Sequence, residues 1–384
     1  MPVNKQKVEL GKHRAIFIRL GEYDVTPALA RFVGVMRSIQ PKVQVVVLCW
    51  GHSHASQTGV HPPPDVEFIR HEAPANSHDP FRAVIAVIRW WIVIARTLLS
   101  GHFALVQPSD VISMIPCMLL KPFLRFKLIV DVRDPVRSVT SHWGWRATIL
   151  GYIEAFGLRL GDRVIICDEH RRRFVPASVL QSQRDLVIRN LPDVDMGYRP
   201  LEVASDSINV CFSGYINSSR GVHMLLGALN QCPYVALHVV GSISEPGLQA
   251  RLTTSPQVVM HGRVTRERAF DIMSESSLVA LLYDPSVELN RYASPNKFYE
   301  ALMLGVPVLT CENTPMAEVV EAANCGYVVA YDDVDALVRL WSGLRGNGAS
   351  WSKKSHNARQ LYERDYRWEQ DANKLSIVYQ QIMK

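Results

Sequence analysis

The stretch Ser294-Pro-Asn-Lys297-Phe-Tyr-Glu300-Ala-Leu-Met-Leu-Gly305-Val-Pro307-Val reads as a helix followed at once by a buried strand. Ser294 and Pro295 suit a helix start, the serine as cap and the proline in the first turn. Gly305 stops the helix and Pro307 keeps it from running on into the next apolar segment. A helix feeding so directly into a strand belongs to an alternating α/β layer. The first-turn amides, with Lys297 beside them, suit a phosphate. Glu300 stands one turn after Asn296, where a carboxylate can accept from both hydroxyls of a ribose. An ordinary surface helix bearing a lysine and a glutamate fits the same residues.

The alternation extends outward from that block. Ile208–Phe212, Val235–Val240, Val258–Met260, Leu278–Leu282 and Val306–Leu309 read as strands separated by helix-length segments. Ala15–Leu20, Val43–Cys49, Val66–Arg70, Phe103–Gln107, Lys127–Val132, Arg163–Cys167 and Leu186–Arg189 repeat the pattern in the first half, with Thr26 as cap of a helix beginning at Pro27. Apolar strands without clean alternation argue for parallel sheets covered on both faces. The expected fold class is α/β, with two doubly wound Rossmann-like domains facing a central cleft. Ligands in such sheets lie beyond the carboxyl ends of the strands. Residues 1–198 are the expected first domain, Arg199–Ser207 the linker, and 207–360 the second domain.

Length and composition agree with two domains. The chain has 384 residues, 48% hydrophobic and 20% charged, which excludes a disordered or collagen-like protein. The net charge of +6 is unevenly spread: residues 1–200 carry 26 basic and 17 acidic side chains, the remainder 16 and 19. The basic half is expected to face something anionic. Its basic residues are dispersed without interleaved aromatics, which argues against nucleic acid. The seven cysteines are scattered and form no CxxC pair, so neither a disulfide framework nor a zinc site is expected, and a reducing compartment fits. The first residues lack the apolar core of a signal peptide.

Ala83–Leu99 is the most apolar stretch, 17 residues with Arg89 and Arg96 on one helical face beside Arg82. A spanning helix would put Arg89 near mid-bilayer at a cost of several kcal/mol, so a span is not expected. Two readings remain. One is a helix packed on a sheet with its arginines at the solvent edge. The other is a membrane-interface helix with Trp90 and Trp91 at headgroup depth, assisted by the basic-apolar segment Met118–Lys127.

A second anion site is suggested by Phe212-Ser-Gly214-Tyr-Ile-Asn-Ser-Ser-Arg220-Gly221-Val. The strand is expected to end at Gly214, where a bare backbone can approach a diphosphate, and Arg220 before the next helix can bind it bidentately. A plain strand-to-helix turn is the alternative.

With these residues in order, the second half resembles the nucleotide-binding domain of two-domain (GT-B fold) glycosyltransferases, especially the retaining family 4. The resemblance covers roughly residues 208–330, through Gly214, Arg220-Gly221, Val239-Val-Gly241, His261-Gly262-Arg263 and the Ser294–Val308 block. It implies that Arg220 binds the donor diphosphate and Glu300 the donor ribose. Gly214, Gly241, Gly262, Arg263, Ser294, Pro295, Asn296 and Lys297 would complete the nucleotide site. It implies no metal, because side chains and helix N-termini neutralise the leaving diphosphate. The block looks like the subgroup that builds bacterial surface and extracellular polysaccharides. Two positions depart from the family: Tyr292 stands where a second glutamate is common, and Tyr215 where an arginine often follows the first glycine.

The first half matches more loosely, over roughly residues 13–195. Asp131-Val-Arg133-Asp134 ends a strand, and the resemblance makes Asp134 and Arg133 the catalytic candidates facing the sugar; a salt-bridged turn is the alternative. Glu154, Asp162 and Asn190 follow the family's order. Gly21-Glu22-Tyr23 is a reduced acceptor loop, and Arg133, Arg137, His142 and Arg146 could receive a phosphorylated acceptor; a solvated basic face is the alternative. Residues 361–384 are expected to form a last helix crossing back to the first domain.

The resemblance implies a retaining, hexosyltransferase-type enzyme using a UDP or GDP sugar, with no cofactor. Its acceptor would be a lipid-linked saccharide, and its place the cytoplasmic side, peripheral at the inner membrane. A sugar-nucleotide epimerase on the same scaffold, or a non-catalytic membrane-associated binding protein, are the alternatives.

Overall fold

Runs such as Val45–Cys49, buried at every position, can be satisfied only by a strand covered on both faces. The computed structural model describes residues 14–21, 27–52, 63–73, 80–139, 143–198 and 207–384, which divide into two units.

The first unit holds seven parallel strands: β1 (Arg14–Arg19), β2 (Gln44–His52), β3 (Glu67–Ala73), β4 (Leu105–Pro108), β5 (Lys127–Val132), β6 (Arg163–Ile166) and β7 (Asp185–Val187). Their order in the sheet is β3-β2-β1-β4-β5-β6-β7. The helices are α1 (Pro27–Ile39), α2 (Pro80–Gly101), α3 (Val111–Leu124), the short α4 (Val136–Val139), α5 (Trp145–Leu160) and α6 (Ala177–Gln181). Asp110 starts α3 by accepting from the Ser113 amide at 2.7 Å. Trp90, Ile94, Met114, Cys117 and Leu158 join the strand side chains in one core, so α2, α3 and α5 cover the same face of the sheet.

Helix α2 is long and apolar enough to cross a membrane by length and composition, yet Trp90, Ile94 and Leu98 are fixed in the domain core. The Trp90 indole donates to Ser113 Oγ at 3.0 Å and the Trp91 indole to the Ile112 carbonyl at 2.9 Å. These tryptophans therefore anchor α2 to α3, which corrects the reading that puts them at headgroup depth. Its outward side chains are apolar too: Phe81, Val84, Ile88, Ile92 and Leu99 are exposed.

The second unit holds β8 (Ile208–Ile216), β9 (Val235–Ile243), β10 (Val258–Gly262), β11 (Leu278–Leu281), β12 (Val308–Cys311) and β13 (Gly326–Val329), all parallel, ordered β10-β9-β8-β11-β12-β13. Its helices are α7 (Val222–Leu229), α8 (Pro246–Thr254), α9 (Arg266–Ser274), the short α10 (Glu288–Arg291), α11 (Asn296–Leu304), α12 (Pro315–Ala323), α13 (Val334–Leu344) and α14 (Gly348–Asp365). One core fills each face of this sheet. Strand β13, formed by Gly326-Tyr-Val-Val329, is an addition to the strands expected from the sequence. Strand β8 also continues past Gly214 to Ile216, because Gly214 pairs in register with Gly241 and neither glycine brings a Cβ into the ladder.

The boundary differs from the expected one. Residues 190–198 belong to the second unit, where Asp195 holds both terminal guanidinium nitrogens of Arg359 at 2.8 Å and Asn190 donates to the Ser294 carbonyl at 3.0 Å. The expected linker residues 199–206 lie outside the described residues. The stretch 361–384 is two helices, the end of α14 and α15 (Trp368–Met383), broken at Tyr366. Residues 369–384 count with the first unit. Buried Asp371 receives the Arg189 amide at 2.8 Å and its Nη2 at 3.0 Å, and Tyr379 donates to Gln107 at 2.7 Å. Trp368 packs on the core of the second unit, a structural role.

Candidate active site

The second unit gathers the donor-site candidates at the carboxyl ends of its strands. Gly214 and Gly241 sit side by side with φ of 126° and 129°, and a Cβ on Gly241 would collide with the Gly214 carbonyl. At Gly241 only bare backbone fits, whereas at Gly214 it is the positive φ that favours glycine, and the space a Cβ would take there is open. After β8 the chain forms one tight turn, Ser218–Arg220, started by Asn217, whose side chain accepts from Ser219. Asn290 donates to Ser219, the Asp284 amide to the Ser219 carbonyl, and Glu245 accepts the Ser218 amide. Gly221 then takes φ of 68° against Leu282, where a Cβ would come within 2.5 Å of the Leu282 Cβ.

This locked turn presents Arg220. Its guanidinium carbon lies 3.7 Å from the centre of the Tyr283 ring, and its Nε and Nη1 are buried without a hydrogen-bond partner among the described residues. Desolvated donors on a fixed cation have a deficit that an anion would fill. Tyr283, Asn290 and Glu245 were missed by the sequence reading; Asn290 could have been found only by knowing that α10 lies beside the turn.

Helix α11 supplies the other half. Lys297 Nζ lies 2.6 Å from Glu300 Oε2, and Glu300 is 5% exposed. No side chain caps the first turn. This corrects the expectation for Ser294: Pro295 is the cap residue, and the Ser294 hydroxyl is engaged with the Tyr299 hydroxyl at 2.8 Å. The first-turn amides at Asn296 and Lys297 are thus left to a ligand or to water. Gly262, φ of 65°, ends β10 with open space before it, and Arg263 beside it is exposed. His261 Nε2 meets His238 Nδ1 at 3.0 Å, and burial together with the neighbouring ring lowers the His238 pKa. Tyr292 is half-buried and Tyr215 exposed.

The first unit contains its own cavity, about 190 Å³, at the carboxyl ends of β1, β4 and β5. Arg133 and Asp134 both line it, with Arg19, Asp110, Asp131 and Glu154. Arg133 turns its Nε to buried Asp131 at 3.1 Å, whereas Asp134 is 58% exposed and held by Arg171 at 3.1 Å. Arg171 Nη1 also donates to the Arg133 carbonyl. Arg19 Nε is buried without a partner, and burial together with the Arg133 charge lowers the pKa of Arg19. Gly21 borders the cavity residue Leu20 and has φ of 134°. Arg146 lies outside the cavity lining, on α5, its guanidinium 5.6 Å from the Trp145 ring. Glu22, Tyr23 and His142 lie outside the described residues, as does the Arg137 side chain.

Glu154 is the residue whose protonation the cavity controls. Burial pushes its carboxyl from the usual 4.5 up to about 7, although the Val136 amide approaches both oxygens at 3.1 and 3.2 Å. An acid with a raised folded pKa binds more protons folded than unfolded, so stability is lost as pH rises from about 4.5 to about 7. The full loss is about 3 kcal/mol. Glu154→Gln removes it: the melting temperature of the variant, relative to wild type, climbs between pH 5 and pH 8. Parallel melting curves for the two proteins would show that Glu154 titrates normally.

All seven cysteines are free and buried, and burial raises the pKa of Cys117, Cys167, Cys211, Cys311 and Cys325, leaving these as inert thiols. Among the described residues no three His, Cys, Asp or Glu side chains are grouped to hold a metal ion.

Residues 207–344 match the family described as "Glycosyl transferases group 1". Among solved structures, the chain is similar to sucrose-phosphate synthase from Thermosynechococcus elongatus, at 15% identity and a TM-score of 0.72, covering 96% of this chain and 99% of that one. It is similar to Anabaena HepE in complex with UDP-glucose at 13% identity and 0.65, covering 95% and 99%. It is also similar to WaaG, a glycosyltransferase involved in lipopolysaccharide biosynthesis, at 13% and 0.63, again covering 95% and 99%. No curated protein matches by sequence.

Proposed function

We propose that this chain, which has a GT-B fold and matches the glycosyl transferases group 1 family over residues 207–344, is a glycosyltransferase that moves a sugar from a nucleoside diphosphate donor to a lipid-linked saccharide with retention. One observation carries the donor half of that reading: the locked guanidinium of Arg220, whose buried Nε and Nη1 have no hydrogen-bond partner among the described residues. A diphosphate fills that need. The open backbone at Gly214 and the first turn of α11 add further donors, and Lys297 adds charge. Glu300, buried and one turn into the same helix, is set to accept from the ribose hydroxyls. The rest of the nucleotide is proposed to lie beside Gly262 and Arg263, at the end of β10.

In the transfer, the bond from the anomeric carbon to the leaving phosphate oxygen breaks as the acceptor hydroxyl oxygen bonds to that carbon on the same face. The hydroxyl proton passes to the departing diphosphate, so no protein nucleophile is used. Arg220 and the α11 amides stabilise the charge that grows on the diphosphate, work that a metal ion would otherwise do. In the first unit, the cavity bearing Arg133 and Asp134 is the proposed place of the acceptor and sugar. The proposed setting is surface or extracellular polysaccharide assembly at the cytoplasmic face of the inner membrane.

The reading is tested by incubating the chain with single UDP or GDP sugars and a detergent extract of lipid-linked saccharides, with chelator present. Sugar label entering the lipid fraction, undiminished by chelator, is the expected outcome. Free nucleotide and an altered sugar appearing without acceptor would instead indicate an epimerase.

A further inference from the structure

The outer surface of the first unit is apolar where a helix layer facing water carries charges. On α5, Trp145, Ile149, Tyr152 and Phe156 recur at helical spacing and all are exposed, Trp145 at 69% and Tyr152 at 73%. On α3, Leu119 and Phe123 are 63% and 79% exposed. The two helices meet where the last turns of α5 pack on the middle of α3. A Cβ on Gly157 of α5 would come 2.7 Å from the Met118 sulfur of α3, and Lys121 donates to the Leu160 carbonyl at 2.6 Å. Their stripes therefore lie side by side. The inner faces already fill the core through Met114, Met118 and Leu158, so the outer apolar side chains add nothing to the fold.

Charge identifies the occupant. Helices α2, α3 and α5 together carry six basic residues, Arg82, Arg89, Arg96, Lys121, Arg146 and Arg159, of which Lys121 is paired with Asp162 at 2.8 Å, and a single acid, Glu154, which is buried. A two-fold contact with a second copy would set these cations against their own counterparts. An anionic lipid surface has the opposite charge, takes apolar side chains into the acyl boundary, and favours Trp and Tyr at that depth. We propose that the chain docks on anionic bilayers through the outer face of α3 and α5, flanked by α2. Glu154 points inward from α5 to the first-unit cavity, so α5 lies between that cavity and the docking face. Any bearing of the docking on the acceptor rests on the proposed lipid-linked substrate; the docking itself does not.

The test is flotation of the full chain with vesicles of equimolar phosphatidylglycerol and phosphatidylethanolamine, and with neutral phosphatidylcholine vesicles. The chain is expected to float with the anionic vesicles, less as salt rises, and little with the neutral ones. The double variant Ile149→Ser/Phe156→Ser loses at least about tenfold in bound fraction while keeping its circular dichroism, since two exposed anchors are removed without touching the core. Arg146→Gln/Arg159→Gln, which removes no apolar group, weakens anionic binding alone. A wild type that stays at the bottom, or serine and glutamine variants that both float as it does, overturns the proposal. So does light scattering that shows a dimer which the serine variant dissolves. Vesicle binding in a chain that ignores every nucleotide would leave the docking standing and remove the transfer reading.

Discussion

Arg220→Ala lowers kcat/KM by about three orders of magnitude, most of it in kcat, because the charge it meets is greatest as the diphosphate leaves. The unliganded protein does not lose stability in step. The Nε and Nη1 of Arg220 are buried without hydrogen-bond partners among the described residues, so removing them relieves a desolvation penalty that partly or wholly offsets the lost stacking on Tyr283. The expected signature is a melting temperature equal to or above wild type, together with loss of the upward shift on adding nucleoside diphosphate. Arg220→Lys keeps a charge but not the planar fork, and retains only part of the rate. Steady-state kinetics and thermal shift on the same preparations check both. A variant that melts well below wild type and keeps its rate would make Arg220 structural.

Glu300→Ala abolishes measurable transfer and weakens nucleotide affinity about a hundredfold, the effect of losing two hydrogen bonds to a charged acceptor. Unlike Arg220, Glu300 has a partner in the protein. Lys297 is 2.6 Å away and 23% exposed, so truncating Glu300 also costs about 2 kcal/mol, less than a fully buried pair would. Glu300→Gln keeps one accepting oxygen and the shape of the side chain, and loses about tenfold in affinity. Calorimetric titration with UDP and GDP separates the two losses, since folded variant can be titrated below its melting temperature. Unchanged affinity in folded Glu300→Ala would remove this residue from the site.

The donor half was legible because its parts are local. Arg220-Gly221 is one turn from the end of β8, and Lys297 and Glu300 are one turn apart on a single helix, so spacing in the chain is spacing in space. Even here the helix start was misread: Ser294 suits a cap, but Tyr299 on the buried side captures its hydroxyl. The first-unit cavity was legible only in part, since its lining comes from β1, the start of α3, β5 and α5. Arg133 and Asp134 stood out as a dipeptide at a strand end. Arg19, Asp110 and buried Asp131 carry no local mark of their roles, and the shifted carboxyl of Glu154 arises from burial that no motif encodes. Helix α5 hides its outer stripe for a related reason. Apolar residues on both faces blur the helical period that would reveal either one. The division at Arg189 rather than at the polar linker follows from the Asp195–Arg359 pair, joining residues far apart in the chain.

The central claim is that the second unit holds a nucleoside diphosphate on Arg220 and Glu300. A calorimetric titration of UDP and GDP into the full wild-type chain, repeated with Arg220→Ala, tests it most directly. Saturable one-to-one binding of one of these nucleotides, at least about tenfold weaker in the variant, is the result expected when charge-assisted hydrogen bonds to phosphate are lost. No binding of either nucleotide by wild type, or equal binding by wild type and variant, would contradict it.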